Sequence, residues 1–374
     1  MELGTQLSLK YKNKDVEMQN SGKDALVKVI DLSVVYKTKL GTVKALDKVN
    51  ISIDRNKLVA VVGESGCGKS TLALSIIRLL PMPPAEFTSG KIMYKGVNLL
   101  ELDEKEMLKY RGTEIAMIFQ EPLSSLNPVY KVGDQIAEAI AVRESRMKPF
   151  LKETYSYNKP IMKQSPWSRF TFKVRRRGVF WEYRDEVIEA LKLVRIPDPE
   201  QVIDRYPFEL SGGMRQRVMI AMALSEKPSL LIADEPTSAI DVTTQAQVLK
   251  LMKNLMEEVK TSILFITHDL AVASQIADEI AVMYAGDIVE IADIYELFSN
   301  PIHPYTKGLL ACIPSGFKDE KLLTSIPGVV PDLRSLPKGC KFAPRCPSAK
   351  SKCHRERPQL RAVSPNHLVM CDVE

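Results

Sequence analysis

Lys57-Leu-Val-Ala-Val-Val-Gly63-Glu64-Ser65-Gly66-Cys67-Gly68-Lys69-Ser70-Thr71-Leu-Ala-Leu-Ser-Ile-Ile-Arg-Leu-Leu80 passes through three kinds of chain without interruption. Its opening is a short apolar run rich in valine, which reads as a buried strand. A glycine-rich turn follows, then an apolar-periodic stretch that reads as a helix. In that context Gly63 to Ser70 satisfies G-x-x-x-x-G-K-[ST]. Glycines let the backbone wind so that successive N–H groups point at phosphate oxygens, and the helix start adds its positive end. Lys69 is suited to the β- and γ-phosphates and the Ser70 hydroxyl to Mg²⁺. Taken alone, the motif implies a nucleotide and not yet a reaction.

Outward from this stretch, further strands are expected at 26–36, 50–53, 114–119, 229–234, 262–267 and 279–284. Helical patterns such as 242–259 separate the later ones, and strands alternating with helices imply a mostly parallel sheet covered on both faces. Between Gln120 and Leu224 helical patterns dominate, pointing to an inserted helical subdomain at about 121–225. The expected organisation is a flexible tail at 1–24, an α/β cassette at 25–300 and a loop-rich C-terminal unit at 301–374. That last unit holds ten of the 23 prolines and four of the six cysteines.

Composition narrows the classes. Over 374 residues, 45% apolar and 26% charged residues make a globular protein. No apolar run is long enough to span a bilayer, and the polar N-terminus has no signal-peptide core, so a cytosolic location is expected. The net charge of +6 is concentrated: residues 143–182 hold eleven Lys/Arg against three acids. The rest is near neutral, which argues against a broad nucleic-acid surface. The basic stretch, about 143–183, also holds both tryptophans, Trp167 and Trp181. A solvated loop is the plain reading; contact with anionic lipid headgroups is the sharper one.

Leu230-Leu-Ile-Ala-Asp234-Glu235 is an apolar strand that delivers two carboxylates at its C-terminal end, where α/β sheets place ligands. Asp234 suits Mg²⁺, and Glu235 suits a general base for the attacking water. Leu210-Ser211-Gly212-Gly213-Met-Arg-Gln-Arg217 opens a helix; by itself it would pass for an ordinary N-cap.

In order, the glycine-rich loop, Gln120, Leu210-Ser-Gly-Gly, Asp234-Glu235, Ser238-Ala-Ile-Asp241 and His268 resemble the ATP-binding cassette (ABC) family over about residues 25–300. The resemblance implies the P-loop NTPase fold of that family, with an antiparallel β part beside the parallel sheet. It implies a head-to-tail dimer that holds ATP between one subunit's loop and the other's Ser211-Gly212-Gly213. Gln120 would then sense Mg²⁺ and the lytic water, His268 would contact the γ-phosphate, Asp241 would lie across the interface and Tyr36 would stack on adenine. Every catalytic position carries a competent residue. Cys67 departs from the commoner serine, and its place near a helix N-terminus predicts an acidic, alkylatable thiol.

Gln120-Glu-Pro-Leu-Ser-Ser-Leu-Asn-Pro128, Asn300-Pro-Ile-His-Pro-Tyr-Thr306 and Ile326-Pro-Gly328 resemble the ATPase subunits of oligopeptide/dipeptide importers. That implies peptide import, a second similar ATPase, two membrane permease subunits and an external binding protein, with this chain peripheral on the cytoplasmic face of the membrane. Oligosaccharide or nickel import would use the same engine; a non-transport cassette ATPase is a further alternative. Cys340-x5-Cys346-x6-Cys353-x17-Cys371 offers four sulfur ligands, equally suited to zinc or iron–sulfur by coordination rules. Relatives with this tail tip the expectation toward a [4Fe–4S] cluster.

Overall fold

The computed structural model describes residues 25–120, 125–147, 181–238, 240–313 and 325–372. The expected tail at 1–24 and residues 148–180 of the basic stretch lie outside them. The strands are β1 (Ala25–Thr38), β2 (Gly41–Asp54), β3 (Leu58–Val62), β4 (Ala85–Tyr94), β5 (Val97–Asn98), β6 (Ile115–Ile118), β7 (Leu230–Asp234), β8 (Ser262–Thr267), β9 (Glu279–Tyr284), β10 (Asp287–Asp293), β11 (Arg361–Ser364) and β12 (His367–Val369). The helices used below are α1 (Lys69–Ile76), α2 (Val132–Met147), α3 (Arg184–Leu193), α4 (Gly212–Leu224), α5 (Val242–Val259), α6 (Ile294–Ser299) and α7 (Pro304–Ala311).

Two sheets form. One is antiparallel in the order β2-β1-β4-β5, and the other has eight strands in the order β11-β12-β10-β9-β3-β8-β7-β6. Strands β9, β3, β8, β7 and β6 run parallel. Their apolar runs lack polar alternation because both faces are buried. Side chains still alternate. Val59, Val61, Ile232, Leu264 and Ile266 face a core shared with α1 and the antiparallel sheet. Leu58, Ala60, Val62, Leu231, Ala233 and Phe265 face a second core built with the helices. Helices α2, α3 and α4 pack on one another, and α4 also meets β6 and α5.

The C-terminal region is tied to the sheet. Strand β12 pairs antiparallel with β10 (Glu290↔Val369, Ala292↔His367) and β11 pairs with β12. Strands of four and three residues are too short for alternation to reveal them in sequence. Beneath them the Glu290 carboxylate is fully buried. It accepts from the backbone N–H of Ile302 (2.8 Å) and His303 (3.0 Å) and lies 2.7 Å from His367 Nε2. Burial pushes His303 down to about 3, so it stays neutral and its Nδ1 accepts from the Tyr305 N–H at the start of α7.

A second anchor is ionic. Lys341 Nζ, almost wholly buried, lies 2.7 Å from Asp287 Oδ1 and 3.4 Å from Asp47 Oδ2 and donates to the Ala285 carbonyl at 2.9 Å. Arg357 joins the same two carboxylates. Burial draws both carboxyls upward. At Asp287 it prevails, whereas at Asp47 the Lys44 hydrogen bond and the nearby cations hold the group below the usual range. Truncating Lys341 to alanine leaves these carboxylates short of a buried partner. A loss of about 3 kcal/mol is expected, read as a lowered unfolding midpoint in thermal or urea denaturation of the intact chain.

Candidate active site

The glycine-rich loop leaves β3 and enters α1, whose N-cap is Gly68. Two glycines are forced by close approach. A Cβ on Gly63 would lie 2.1 Å from the Met283 carbonyl oxygen, and one on Gly68, which has φ +112°, would lie 2.6 Å from the Ala45 carbonyl oxygen. Ser65, Gly66 and Ser70 are exposed at the rim, whereas Cys67 and Lys69 are buried. Lys69 Nζ donates to the carbonyls of Gly63 (2.8 Å) and Glu64 (3.1 Å), so its ammonium lies along the inner side of the loop.

Gln120, Asp234, Glu235 and His268 converge because β6, β7 and β8 are adjacent, parallel and in register (Ile118↔Ala233, Asp234↔Ile266). Each side chain leaves the C-terminal end of its strand. Glu235 has φ +46°, a left-handed turn that separates its carboxylate from that of Asp234. Gln120 Nε2 donates to Glu235 Oε2 at 2.9 Å, and His268 Nδ1 lies 3.2 Å from Glu235 Oε1. The Ser238 hydroxyl donates to the carbonyls of Glu235 (2.9 Å) and Gln120 (3.2 Å). Both oxygens of Glu235 are therefore oriented.

Asp234 is almost fully buried and hydrogen-bonds Ser70. Burial raises its carboxyl above the usual range, against the pull of Ser70, with Glu235 adding to the rise and Lys69 opposing it. Its Oδ1 has no hydrogen-bond partner. An unsatisfied buried carboxylate oxygen beside a hydroxyl suits a hard divalent cation that keeps its waters.

Tyr36 leaves β1 close to α1, its hydroxyl 3.3 Å from Thr71 Oγ1. Ser211 caps α4, accepting from the Met214 N–H at 3.3 Å, and Asp241 caps α5, accepting from the Thr244 N–H at 2.9 Å. That bond holds the exposed Asp241 carboxyl below its usual range. A Cβ on Gly213 would lie 2.5 Å from Thr244 Cγ2, so the starts of α4 and α5 are packed together. This Ser-Gly-Gly unit stands on the helical layer, whereas α1 packs on β2 and β7. The chain's own phosphate loop and its own signature, Ser211-Gly212-Gly213, thus stand on different layers.

One expectation is overturned. Cys67 is not an acidic thiol: its side chain belongs to the core beneath the loop, and burial pushes its pKa up despite Lys69 nearby. Its backbone is held within the loop, the N–H donating to the Glu64 carbonyl at 3.3 Å and the carbonyl accepting from the Gly286 N–H at 2.8 Å.

Cys340, Cys346, Cys353 and Cys371 line one small cavity under α7. Burial pushes Cys340 up to about 11 and raises Cys346, and neighbouring thiols add to both shifts. Among the described residues, no three His, Cys, Asp or Glu side chains are gathered closely enough to hold a metal ion.

Three residues that sequence reading does not reveal meet the loop or its support. Arg345 pairs with Glu64, Tyr305 accepts from the Glu64 N–H, and Lys341 holds the β9–β10 turn. The sequence signal is weak: two cations in the six residues 340–345 read as surface charge unless burial is known.

Fold and site together define a phosphate-loop ATPase of the cassette type. Residues 46–238 match the family model for ABC transporters, and residues 289–353 match that for the oligopeptide/dipeptide transporter C-terminal region. The chain belongs to the ABC transporter family. It is 46% identical over 345 residues to OppD of Bacillus subtilis, an oligopeptide transport ATP-binding protein, covering 92% of this chain and 87% of that one. It is 44% identical over 358 residues to y4tR of Sinorhizobium fredii, a probable peptide ABC transporter ATP-binding protein, covering 95% and 97%. Among solved structures, the dimeric bacterial cassette MJ0796 is similar at 26% identity and TM-score 0.54, covering 72% of this chain and 98% of that one. The cbiO1 cassette of Clostridium perfringens is similar at 26% identity and TM-score 0.55, covering 74% and 92%. Among the described residues no helix is long and apolar enough to cross a membrane.

In the folded chain, Cys67 is expected to react with iodoacetamide at least about tenfold more slowly than in urea. Mass-spectrometric mapping of the modified thiols checks this.

Proposed function

We propose that this chain hydrolyses ATP to power import of di- and oligopeptides across the cytoplasmic membrane. The observation that carries the hydrolytic part is Glu235, its two oxygens held by Gln120 and His268 at the strand edge beside Asp234 and Ser70. Peptide as the cargo is supported by relatives named for peptide transport that align over nine-tenths of the chain and by the matching C-terminal region. Those relatives favour peptide over oligosaccharide or nickel.

The convergence of Lys69, Ser70, Gln120, Asp234, Glu235 and His268 supports the proposed division of labour. Tyr36 receives the adenine, and the backbone from Gly63 through Thr71 wraps the phosphates. Lys69 turns its ammonium from the loop carbonyls to the β- and γ-phosphates. Asp234, Ser70 and Gln120 hold Mg²⁺, which neutralises phosphate charge. Glu235 accepts a proton from the attacking water. His268 bridges Glu235 and the γ-phosphate through its two ring nitrogens, so proton acceptor and transferred phosphoryl are set by one ring. Ser211, Gly212, Gly213 and Asp241 complete the site of a partner cassette. Closure of the pair on ATP and release after hydrolysis turn phosphoryl transfer into rigid-body motion.

The proposed assembly has a second similar ATPase, two permease subunits and an external binding protein, with this chain peripheral on the cytoplasmic face. The cassette at 25–300 binds nucleotide, and the 301–374 unit is an extension docked on it. An open groove of about 620 Å³ between β6 and α4, lined by Met117, Phe119, Met219 and Met222, is the place for a permease loop. The basic stretch at 143–183 meets anionic headgroups, a reading that rests on its charge.

Cys340, Cys346, Cys353 and Cys371 are proposed to hold a [4Fe–4S] cluster. Four thiols facing one cavity are the right donors, and a bound cation relieves the cost of ionising them there. Such a group would act as a cross-link for a unit with little core of its own.

Glu235→Gln is expected to lower phosphate release by at least about 10²-fold while leaving ATP binding intact. With Mg²⁺ and ATP it should form a stable face-to-face pair, with itself or its partner, visible by light scattering; a variant that stays monomeric under both conditions rules the clamp out. Anaerobic purification should give a brown protein absorbing near about 400 nm with iron and sulfide present. A colourless chain with one zinc ion overturns the cluster.

A further inference from the structure

Glu64 is the one acid within the phosphate loop 63–70, and a carboxylate at the lip of a polyphosphate site opposes its ligand. Here that carboxylate is clamped from the far end of the chain. Arg345 Nη1 donates to Glu64 Oε2 at 2.7 Å and Nη2 to Glu64 Oε1 at 3.1 Å, a two-pronged pair. The Arg345 side chain is 4% exposed and its guanidinium is held from several sides. Its Nε donates to the Pro327 carbonyl (2.9 Å), Nη2 also reaches the Ile326 carbonyl (3.3 Å), and Nη1 meets the Tyr284 hydroxyl (3.3 Å). Its centre lies 5.7 Å from the Tyr284 ring and 5.9 Å from the Phe342 ring. The Glu64 backbone is anchored from the same region, its N–H donating to the Tyr305 hydroxyl at 3.0 Å.

We propose that Arg345 is a positioning residue of the nucleotide site: from the C-terminal region it cancels the Glu64 charge and holds that carboxylate off the path of the phosphates. This deepens the ATPase reading and rests on it. Arg345 does not touch the reacting atoms, so it acts on binding of MgATP and hardly on the chemical step. The ion pair also gives the loop acid a role. Together the two residues let the loop be tethered to the C-terminal region without a net charge cost at the phosphates.

The test uses the full chain, with MgATP as the probe in binding titrations and steady-state hydrolysis. Arg345→Gln leaves Glu64 uncompensated, and KM for ATP should rise about tenfold while kcat stays within about twofold. Neutralising the acid as well, in Glu64→Gln/Arg345→Gln, should restore most of the lost affinity. A purely structural clip predicts the reverse, with the double variant no better than the single one. Arg345→Gln with unchanged KM, or a double variant as weak as the single, overturns the proposal. Should Arg345→Gln fail to fold, Glu64→Gln alone decides. Its KM should be at or below that of the parent chain, and a rise beyond about threefold overturns the proposal. A parent chain that binds no MgATP would defeat the ATPase reading itself, which keeps the two failures apart.

Discussion

Register between parallel strands is the constraint on which the site depends. Strands β3, β8, β7 and β6 are neighbours, each buried on both faces, and their C-terminal ends lie along one edge. The phosphate loop, His268, Asp234-Glu235 and Gln120 stand at those ends or within two residues beyond them. A one-residue slip would turn every strand's side chains to the opposite core, so the alternation of Val59, Val61, Ile232, Leu264 and Ile266 against their neighbours fixes the catalytic geometry as well as the packing. Glu235 then needs only the left-handed turn after β7 to meet its two partners.

The turn between β9 and β10 is the second organising point. The Gly286 N–H donates to the Cys67 carbonyl at 2.8 Å, its own carbonyl accepts from the Asp47 N–H at 2.9 Å, and the adjacent Ala285 carbonyl accepts from Lys341. Phosphate loop, antiparallel sheet and C-terminal region meet there. Lys341 and Arg345 stand between Cys340 and Cys346, so whatever fixes those cysteines also fixes the two cations that grip the loop and its support. Burying such cations is costly unless each is paired and hydrogen-bonded. Both are.

Local pattern made much of this legible. The seven sequence-derived strand segments all fall within observed strands apart from a terminal residue or two, and 242–259 is α5 from end to end. Gln120, Glu235 and His268 could be named because each follows a strand whose apolar run is easy to see. What escaped reading was non-local. The edge strands β11 and β12 are too short to carry a period. The environment of Cys67 depended on tertiary burial outweighing the helix end that proximity in sequence suggested. The Glu64–Arg345 pair joins residues 281 positions apart, and a single sequence holds no trace of such a pairing beyond two opposite charges.

The arrangement of the two glycine-rich elements carries the last step. Loop and signature sit on different layers of one chain, yet each is built to present backbone donors outward. Ser211 is exposed while its oxygen satisfies the Met214 N–H, and the exposed Asp241 does the same for Thr244. Because Gly213 is packed against Thr244, these two caps form one stiff patch rather than two mobile loops. Among the described residues this patch of donors and a carboxylate has no ligand, and in the proposed reading the phosphate loop supplies only part of what would enclose a γ-phosphate. The deficits are complementary when two cassettes face each other, which is the proposed clamp. In that arrangement the γ-phosphate would lie between the two bodies, so its cleavage would remove a contact that holds the pair closed. The energy of phosphoryl transfer is then coupled to separation of the two bodies through the same few residues that bind the substrate.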